Sequence, residues 1–212
     1  MNKFPERLAK ALKKNPRPRE EAEAKYTWLT LLLDGYHIYD TGAKIEQAEE
    51  EQKRRSKIAC CEGCVSCCLR PSAPATELEV MGIWWFIKNK LDEDIKSDLI
   101  QRLVDFRTRV ECPFLINRNC AVYQLRPLAC RILHAFGTPC PDDKMIMEAK
   151  GADIWIPSRD VGRKAAMAML PYYGFSRTQD KVRAFEAGFF TTHSRPLLEI
   201  NWEGLVHQNP DL

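Results

Sequence analysis

Nine cysteines, Cys60, Cys61, Cys64, Cys67, Cys68, Cys112, Cys120, Cys130 and Cys140, fall in the middle of a 212-residue chain, with none before or after them. Cysteines used only to fill a core would not cluster in this way. The densest stretch, Cys61-Glu62-Gly63-Cys64-Val65-Ser66-Cys67-Cys68, is a C-x2-C-x2-C-C run. Its thiols can converge on a metal only if the backbone curls tightly around it, and Gly63 eases such a curl. The same two-residue spacing occurs in ligand pairs for zinc and in the C-x2-C-x2-C run of iron–sulfur proteins, where a remote cysteine followed by proline completes the set. Cys112-Pro113 has that form. Adjacent residues such as Cys67 and Cys68 seldom point the same way, so they are expected to serve two neighbouring sites, or one site and its surroundings. With Cys60 left out, eight thiols remain, enough for two sets of four.

The compartment decides what those thiols can be. The N-terminus has charge but no uninterrupted apolar stretch and no small-residue cleavage site, so export is not expected. Cytosolic thiol buffers keep cysteines reduced, which leaves metal ligation as the leading use of so many. The charge balance, 32 basic against 29 acidic residues spread along the chain, offers no basic field of the kind nucleic acid selects. The longest apolar run, Trp28 to Leu33, is broken by Thr30 and ends at Asp34-Gly35, far short of the roughly 20 residues that span a bilayer. A cytoplasmic protein is expected, with a metal ion or cluster as its partner, no nucleic acid, no membrane, and a protein partner left open.

Two arginines bracket one presumed ligand, in Arg126-Pro127-Leu128-Ala129-Cys130-Arg131. Four thiolates on a divalent ion leave a net charge near −2, and burying it is costly unless cations and N–H donors face the sulfurs. Arg126 and Arg131 are candidates for that task; the competing view makes both of them surface ion pairs. His134 is more readily a packing residue than a ligand, Tyr123 and Phe136 are expected to pack over the site and exclude water, and Cys60 is expected to be the free thiol, with an alternate ligand role left open. No Gly-rich phosphate loop, H-E-x-x-H or G-x-S-x-G occurs.

The run quoted above is followed by Cys112-Pro113-Phe114-Leu115, by Cys120-Ala121-Val122-Tyr123 and by Arg126-Pro127-Leu128-Ala129-Cys130-Arg131. This combination resembles the YkgJ family, the zinc- or iron-chelating group also called CxxCxxCC. The resemblance covers Cys61 to Cys140 and implies a metal-chelating domain with Cys61, Cys64, Cys67, Cys68, Cys112, Cys120 and Cys130 as ligands and Cys140 beside them. It also implies zinc or iron, including a 4Fe-4S cluster, as the cofactor. The family is similar to the cysteine-rich part of flagellin lysine methylases, which implies iron–sulfur chemistry allied to protein modification in some relatives. This chain departs from the family pattern at Cys60 and at Ile132-Leu133-His134.

The elements that must hold these residues read as helices, because no run of strict alternation rich in β-branched residues occurs. A mainly α fold is expected, a small irregular cysteine-rich metal-binding core wrapped by helices. Helices are predicted over Pro5 to Lys14, Glu20 to Leu33 ending near Gly35, and Thr41 to Lys57, the last with Glu49, Glu50 and Glu51 each four residues before a basic partner. Thr76 with Glu79 makes a capping box that opens the next helix. Ile95, Leu99, Leu103, Phe106 and Val110 mark an amphipathic helix from Asp94 to Val110, expected to form a hairpin with the preceding one. Prolines 113, 127 and 139 with Gly137 predict short turns between Cys112 and Cys140. Ser158 and Thr178 can cap helices running to Leu170 and Phe190. Three parts follow: a helical extension over 1–59, the cysteine domain over 60–140, and a helical region over 141–212 packing on the same core.

Three functions compete on this reading. The first is a metal-binding module in which zinc or iron is structural. The second is an iron–sulfur redox enzyme, or a component of a methylase-like protein-modifying enzyme. The third is a metal-trafficking protein that uses surplus thiols as exchange routes.

Overall fold

A computed structural model describes residues 3–69, 73–105, 110–138, 140 and 153–208. Its helices in the first half are α1 Phe4–Lys14, α2 Thr27–Arg54, the single turn α3 Ser66–Leu69, α4 Glu77–Lys90 and α5 Glu93–Val104. The second half holds α6 Arg159–Met169, α7 Thr178–Glu186, α8 Phe189–Thr192 and α9 Trp202–His207. Six strands of two or three residues are described, β1 Pro74–Thr76, β2 Leu115–Ile116, β3 Asn119–Cys120, β4 His134–Ala135, β5 Ile154–Trp155 and β6 Ser194–Pro196. The mainly α architecture with an irregular cysteine-rich part agrees with expectation. The chain divides into two units, each discontinuous in sequence: 1–56 with 156–193, and 57–155 with 194–212.

In the first unit α1 opens with Pro5 in its first turn, buries Phe4 and Leu8, and stops before Asn15-Pro16. The two helices predicted on either side of Gly35 are one, α2, preceded by a 3-10 turn at Glu21–Ala24. Glycine ends a helix where the backbone must turn left-handed, but Gly35 and Gly42 serve close approach instead. A Cβ on Gly35 would stand 2.5 Å from Met169 Cγ, and one on Gly42 would stand 3.1 Å from Val161 and 3.3 Å from Phe4. The notches let α6 lie against α2, with Val161, Ala165, Ala166 and Met169 buried. α2 instead ends at Arg54, with Arg55 as its left-handed cap at φ 55°. Ser158 stands at the N-cap of α6, but its N–H and hydroxyl donate to Glu46 of α2 at 2.6 and 2.5 Å rather than capping its own helix. The helix predicted from Thr178 to Phe190 is broken at Gly188, whose φ of +75° separates α7 from α8.

The second unit holds all nine cysteines. The capping box is present: Thr76 Oγ1 accepts from Glu79 N–H, and Glu79 Oε2 accepts from Thr76 N–H at 2.8 Å. Across Leu91-Asp92, α5 follows α4, but α5 packs chiefly on α9 and β2 rather than in a tight hairpin with α4. Leu99 and Leu103 are fully buried while Ile95 and Val110 are exposed, so the predicted stripe is buried only at its centre; α5 ends at Val104, short of Val110, which is outside any helix, and Phe106 lies outside the described residues. Asn117 and Arg118, both with positive φ, turn β2 into β3 as a two-residue hairpin loop. The segment at Ile58 bridges Phe136, β4 pairs with β5, and β1 pairs with β6 in register Ala75 to Arg195. Phe114 meets Trp202 of α9 edge to face, 5.0 Å between centroids.

Candidate metal centre

The curl expected at Gly63 is a turn in which Cys64 N–H donates to the Cys61 carbonyl at 3.2 Å, with Gly63 at φ +87°. That left-handed angle at the third position is the one glycine adopts without strain. The chain then enters α3, where successive side chains are about 100° apart, so Cys67 and Cys68 leave the turn in different directions. Cys68 faces the later segments. Its carbonyl accepts the N–H of Cys112 at 2.7 Å, and the Cys112 thiol hydrogen-bonds to its sulfur. This bond holds the Cys68 thiol below its ordinary range and pushes Cys112 well up. Cys120, at the end of β3, feels the charges of Cys68, Arg126 and Arg131. Cys130, in the 3-10 turn Leu128–Arg131, feels those of Cys68, Cys120, Glu79 and Arg126.

These four thiols, Cys68, Cys112, Cys120 and Cys130, therefore form one neighbourhood. A second is made by Cys60, Cys64, Cys67 and Cys140, whose sulfurs act on one another. Cys61 is exposed and acts among the cysteines through Cys60. Desolvation first, then neighbouring sulfurs, pushes Cys67 and Cys130 up to about 12 although both residues keep open surface, and Cys120 up to about 11. A cation bound among the sulfurs reverses that penalty, because it replaces the protons and pays the repulsion between thiolates. The donor chemistry fits zinc or iron, both of which accept sets of soft thiolates. Among the described residues no three His, Cys, Asp or Glu side chains are already arranged as a ready ligand set.

Backbone N–H groups reach several sulfurs. Ala135 donates to Cys60 at 3.2 Å, Phe114 to Cys112 and Val122 to Cys120. Such donors favour the thiolate form. Arg126 lies at the junction of the two neighbourhoods, its charge lowering the pKa of Cys60, Cys68, Cys120 and Cys130. Its guanidinium stacks 3.9 Å above Tyr123, and its Nε is buried without a hydrogen-bond partner among the described residues. Arg131 is buried, not a surface ion pair. It donates to the carbonyls of Arg126 at 3.0 Å and Gln124 at 2.7 Å, and its charge reaches Cys120. His134 directs Nε2 to the Arg131 carbonyl at 2.9 Å and its ring towards Trp155, and Phe136 packs edge-on to the same tryptophan.

Two positioning residues had not been singled out for the site. Arg102 of α5 donates to the carbonyls of Cys112 and Pro113, both at 3.1 Å, and so fixes the loop carrying Cys112. Glu79, 3% exposed, accepts the N–H of Leu128 at 2.7 Å with the oxygen not used for the helix cap, which ties α4 to the turn carrying Cys130. The capping box was the only sign of Glu79, and Arg102 carried none beyond its place on an amphipathic helix.

Thiols brought near one another from four segments, with a cation and N–H donors beside them, are the chemistry that a cysteine-rich chelating domain would use. Residues 59–152 match the family model of CxxCxxCC, described as "Putative zinc- or iron-chelating domain", which is the family the cysteine run resembles. The match covers less than half of the chain. No curated protein and no solved structure matches the chain.

Proposed function

We propose that this chain binds iron or zinc through cysteine thiolates drawn from Cys61, Cys64, Cys67, Cys68, Cys112, Cys120, Cys130 and Cys140, with Arg126 and Arg131 offsetting their charge. The observation that carries the reading is that Cys68, Cys112, Cys120 and Cys130 come near one another from four separate segments, with the Cys112 thiol hydrogen-bonded to the Cys68 sulfur and the Arg126 charge reaching Cys68, Cys120 and Cys130. The loops that carry Cys112, Cys120 and Cys130 are short turns and two-residue strands, so a bound metal would hold much of their shape and is expected to be coupled to the local fold.

The finer reading is an iron–sulfur centre serving redox or protein-modifying chemistry. Cys112-Pro113 supports it, as do the N–H donors on the sulfurs of Cys112 and Cys120, because hydrogen bonds to sulfur are one of the levers that set cluster potential. Zinc in the same thiols would instead make the centre structural. All nine cysteines are free thiols, the form from which a metal ligand is made. No helix among the described residues is long and apolar enough to cross a membrane. The test is purification without oxygen followed by elemental analysis. A brown protein with iron and acid-labile sulfide is the expected result, and a colourless one with stoichiometric zinc moves the assignment to a structural centre. A chain that holds neither, and takes up neither on reconstitution, overturns the proposal.

A further inference from the structure

We propose that the last part of the first unit holds a binding site for an aromatic α-amino acid, with Phe175, Phe189 and His193 as its aromatic wall and with Asp180 and Arg183 as receptors for the ligand's ammonium and carboxylate groups. None of these residues belongs to the unit that carries the cysteines, and the site needs no metal.

Two glycines shape it. Gly174, at φ +87°, ends the 3-10 turn Leu170–Tyr173, and Gly188, at φ +75°, separates α7 from α8; both take a left-handed angle that glycine adopts without strain. Phe175 and Phe189 then meet edge to face, 5.3 Å between centroids, and Tyr173 meets Phe189 in the same manner at 4.9 Å. Rings in this arrangement hold one another in place. Yet neither α7 nor α8 buries a residue fully, so the cluster keeps an open side. That side is a hollow of about 600 Å³, a size common among small-molecule sites, and its lining includes Phe175, Asp180, Arg183, Phe189, Thr192 and His193.

The polar groups around the hollow define what it can take. His193 stacks on Phe189, 3.9 Å between centroids and 14° from parallel. The Thr192 hydroxyl donates to the carbonyls of Gly188 and Phe189 at 3.3 and 3.1 Å. Both groups that face His193 Nδ1 at 2.9 Å, this hydroxyl oxygen and the Phe189 carbonyl, are therefore acceptors. Nδ1 carries the ring proton, which leaves Nε2 as an acceptor for a ring N–H of the ligand. Asp180 and Arg183 stand three residues apart on α7, and so on one face of it. Among the described residues, neither side chain has an ion pair or hydrogen bond. An anion alone would meet Asp180, and a cation alone would meet Arg183, each as an unanswered like charge. A molecule that carries both charges close together answers the pair, and its ring then lies against Phe175 and Phe189.

The full chain is titrated with L-tryptophan, and binding is followed by saturation-transfer NMR on the ligand's ring protons. Indole-3-propionate, which lacks the ammonium, and tryptamine, which lacks the carboxylate, are each expected to bind about tenfold more weakly. Asp180→Asn should abolish the difference between L-tryptophan and indole-3-propionate, and Arg183→Gln the difference between L-tryptophan and tryptamine. No binding of L-tryptophan, equal binding of the three ligands, or a difference that survives its matching substitution overturns the proposal. L-Phenylalanine, which has no ring N–H, should bind more weakly than L-tryptophan, and equal binding overturns the part given to His193. All of these results leave the thiolate reading untouched, since no metal enters the measurement.

Discussion

Glu79, in the first turn of α4, accepts the N–H of Leu128, 49 residues further along the chain, while its other oxygen takes the N–H and hydroxyl of Thr76 at 2.8 and 2.9 Å. One buried carboxylate thus serves both as helix cap and as anchor of the turn that carries Cys130. Glu79→Ala removes the cap and leaves Leu128 N–H without its acceptor. It is expected to cost about 2–4 kcal/mol in chemical denaturation, the sum of a cap and a charge-assisted hydrogen bond, and to weaken metal retention with it. Glu79→Gln, which keeps one acceptor oxygen, should fall between.

Arg126 and Arg131 are expected to separate in their effects. Arg131→Ala leaves the carbonyls of Gln124 and Arg126 without their donor, so it should lower both stability, by about 1–3 kcal/mol, and metal affinity. Arg131→Lys should rescue only part, because a point charge cannot span two carbonyls as the planar fork does. Arg126→Ala loses a charge acting on four cysteines and should act mainly on the metal, with the roughly 10- to 100-fold loss of affinity typical of outer partners. Competition against a chelator and thermal melting, measured on all three, check the split.

Gly35→Ala is expected to destabilise the first unit by about 1–3 kcal/mol, since its Cβ would stand 2.5 Å from Met169 Cγ in a packed helix interface. Gly35→Ala with Met169→Ala should lose less than the sum of the two single changes. Additive losses in urea titrations would show that the notch is not where the two helices meet.

Arg17 makes paired 2.6 Å bonds to the two oxygens of Glu23, and it holds the Glu23 carboxyl well below the usual carboxylate range. The folded value lies below the unfolded one, so this stabilisation is complete above the unfolded value of about 4.3 and is lost as pH falls through the folded value. Stability should therefore decline on acidification below about pH 5. In Arg17→Met that dependence should flatten, with about 2 kcal/mol lost at neutral pH. Urea midpoints from pH 7 down to 3 give both quantities.

What the sequence made legible is local. The Thr76 and Glu79 box, the turn at Gly63 and the divergence of Cys67 from Cys68 depend on neighbours within one turn, and composition shows them directly. Proline spacing likewise foretold that Cys112 to Cys140 is built from short pieces. Gly35 misled because a glycine that ends a helix and one that admits a methionine look alike until Met169 is in place. Arg102, the second role of Glu79 and the Ala135 N–H on the Cys60 sulfur depend on partners 10 to 75 residues away, and no periodicity records them.

The pairing of β1 with β6 and the seating of Trp202 on Phe114 bring the last part of the second unit back to segments made more than 80 residues earlier. A ribosome releases the chain in order, so every cysteine has emerged before the strand and tryptophan that complete the thiols' own unit. The nascent protein therefore passes through an interval in which its thiols are made but their scaffold is unfinished, open to a metal donor and to oxidants alike. Metal capture during synthesis and metal capture after release become distinct events for this chain, separated by the time needed to translate residues 141–202.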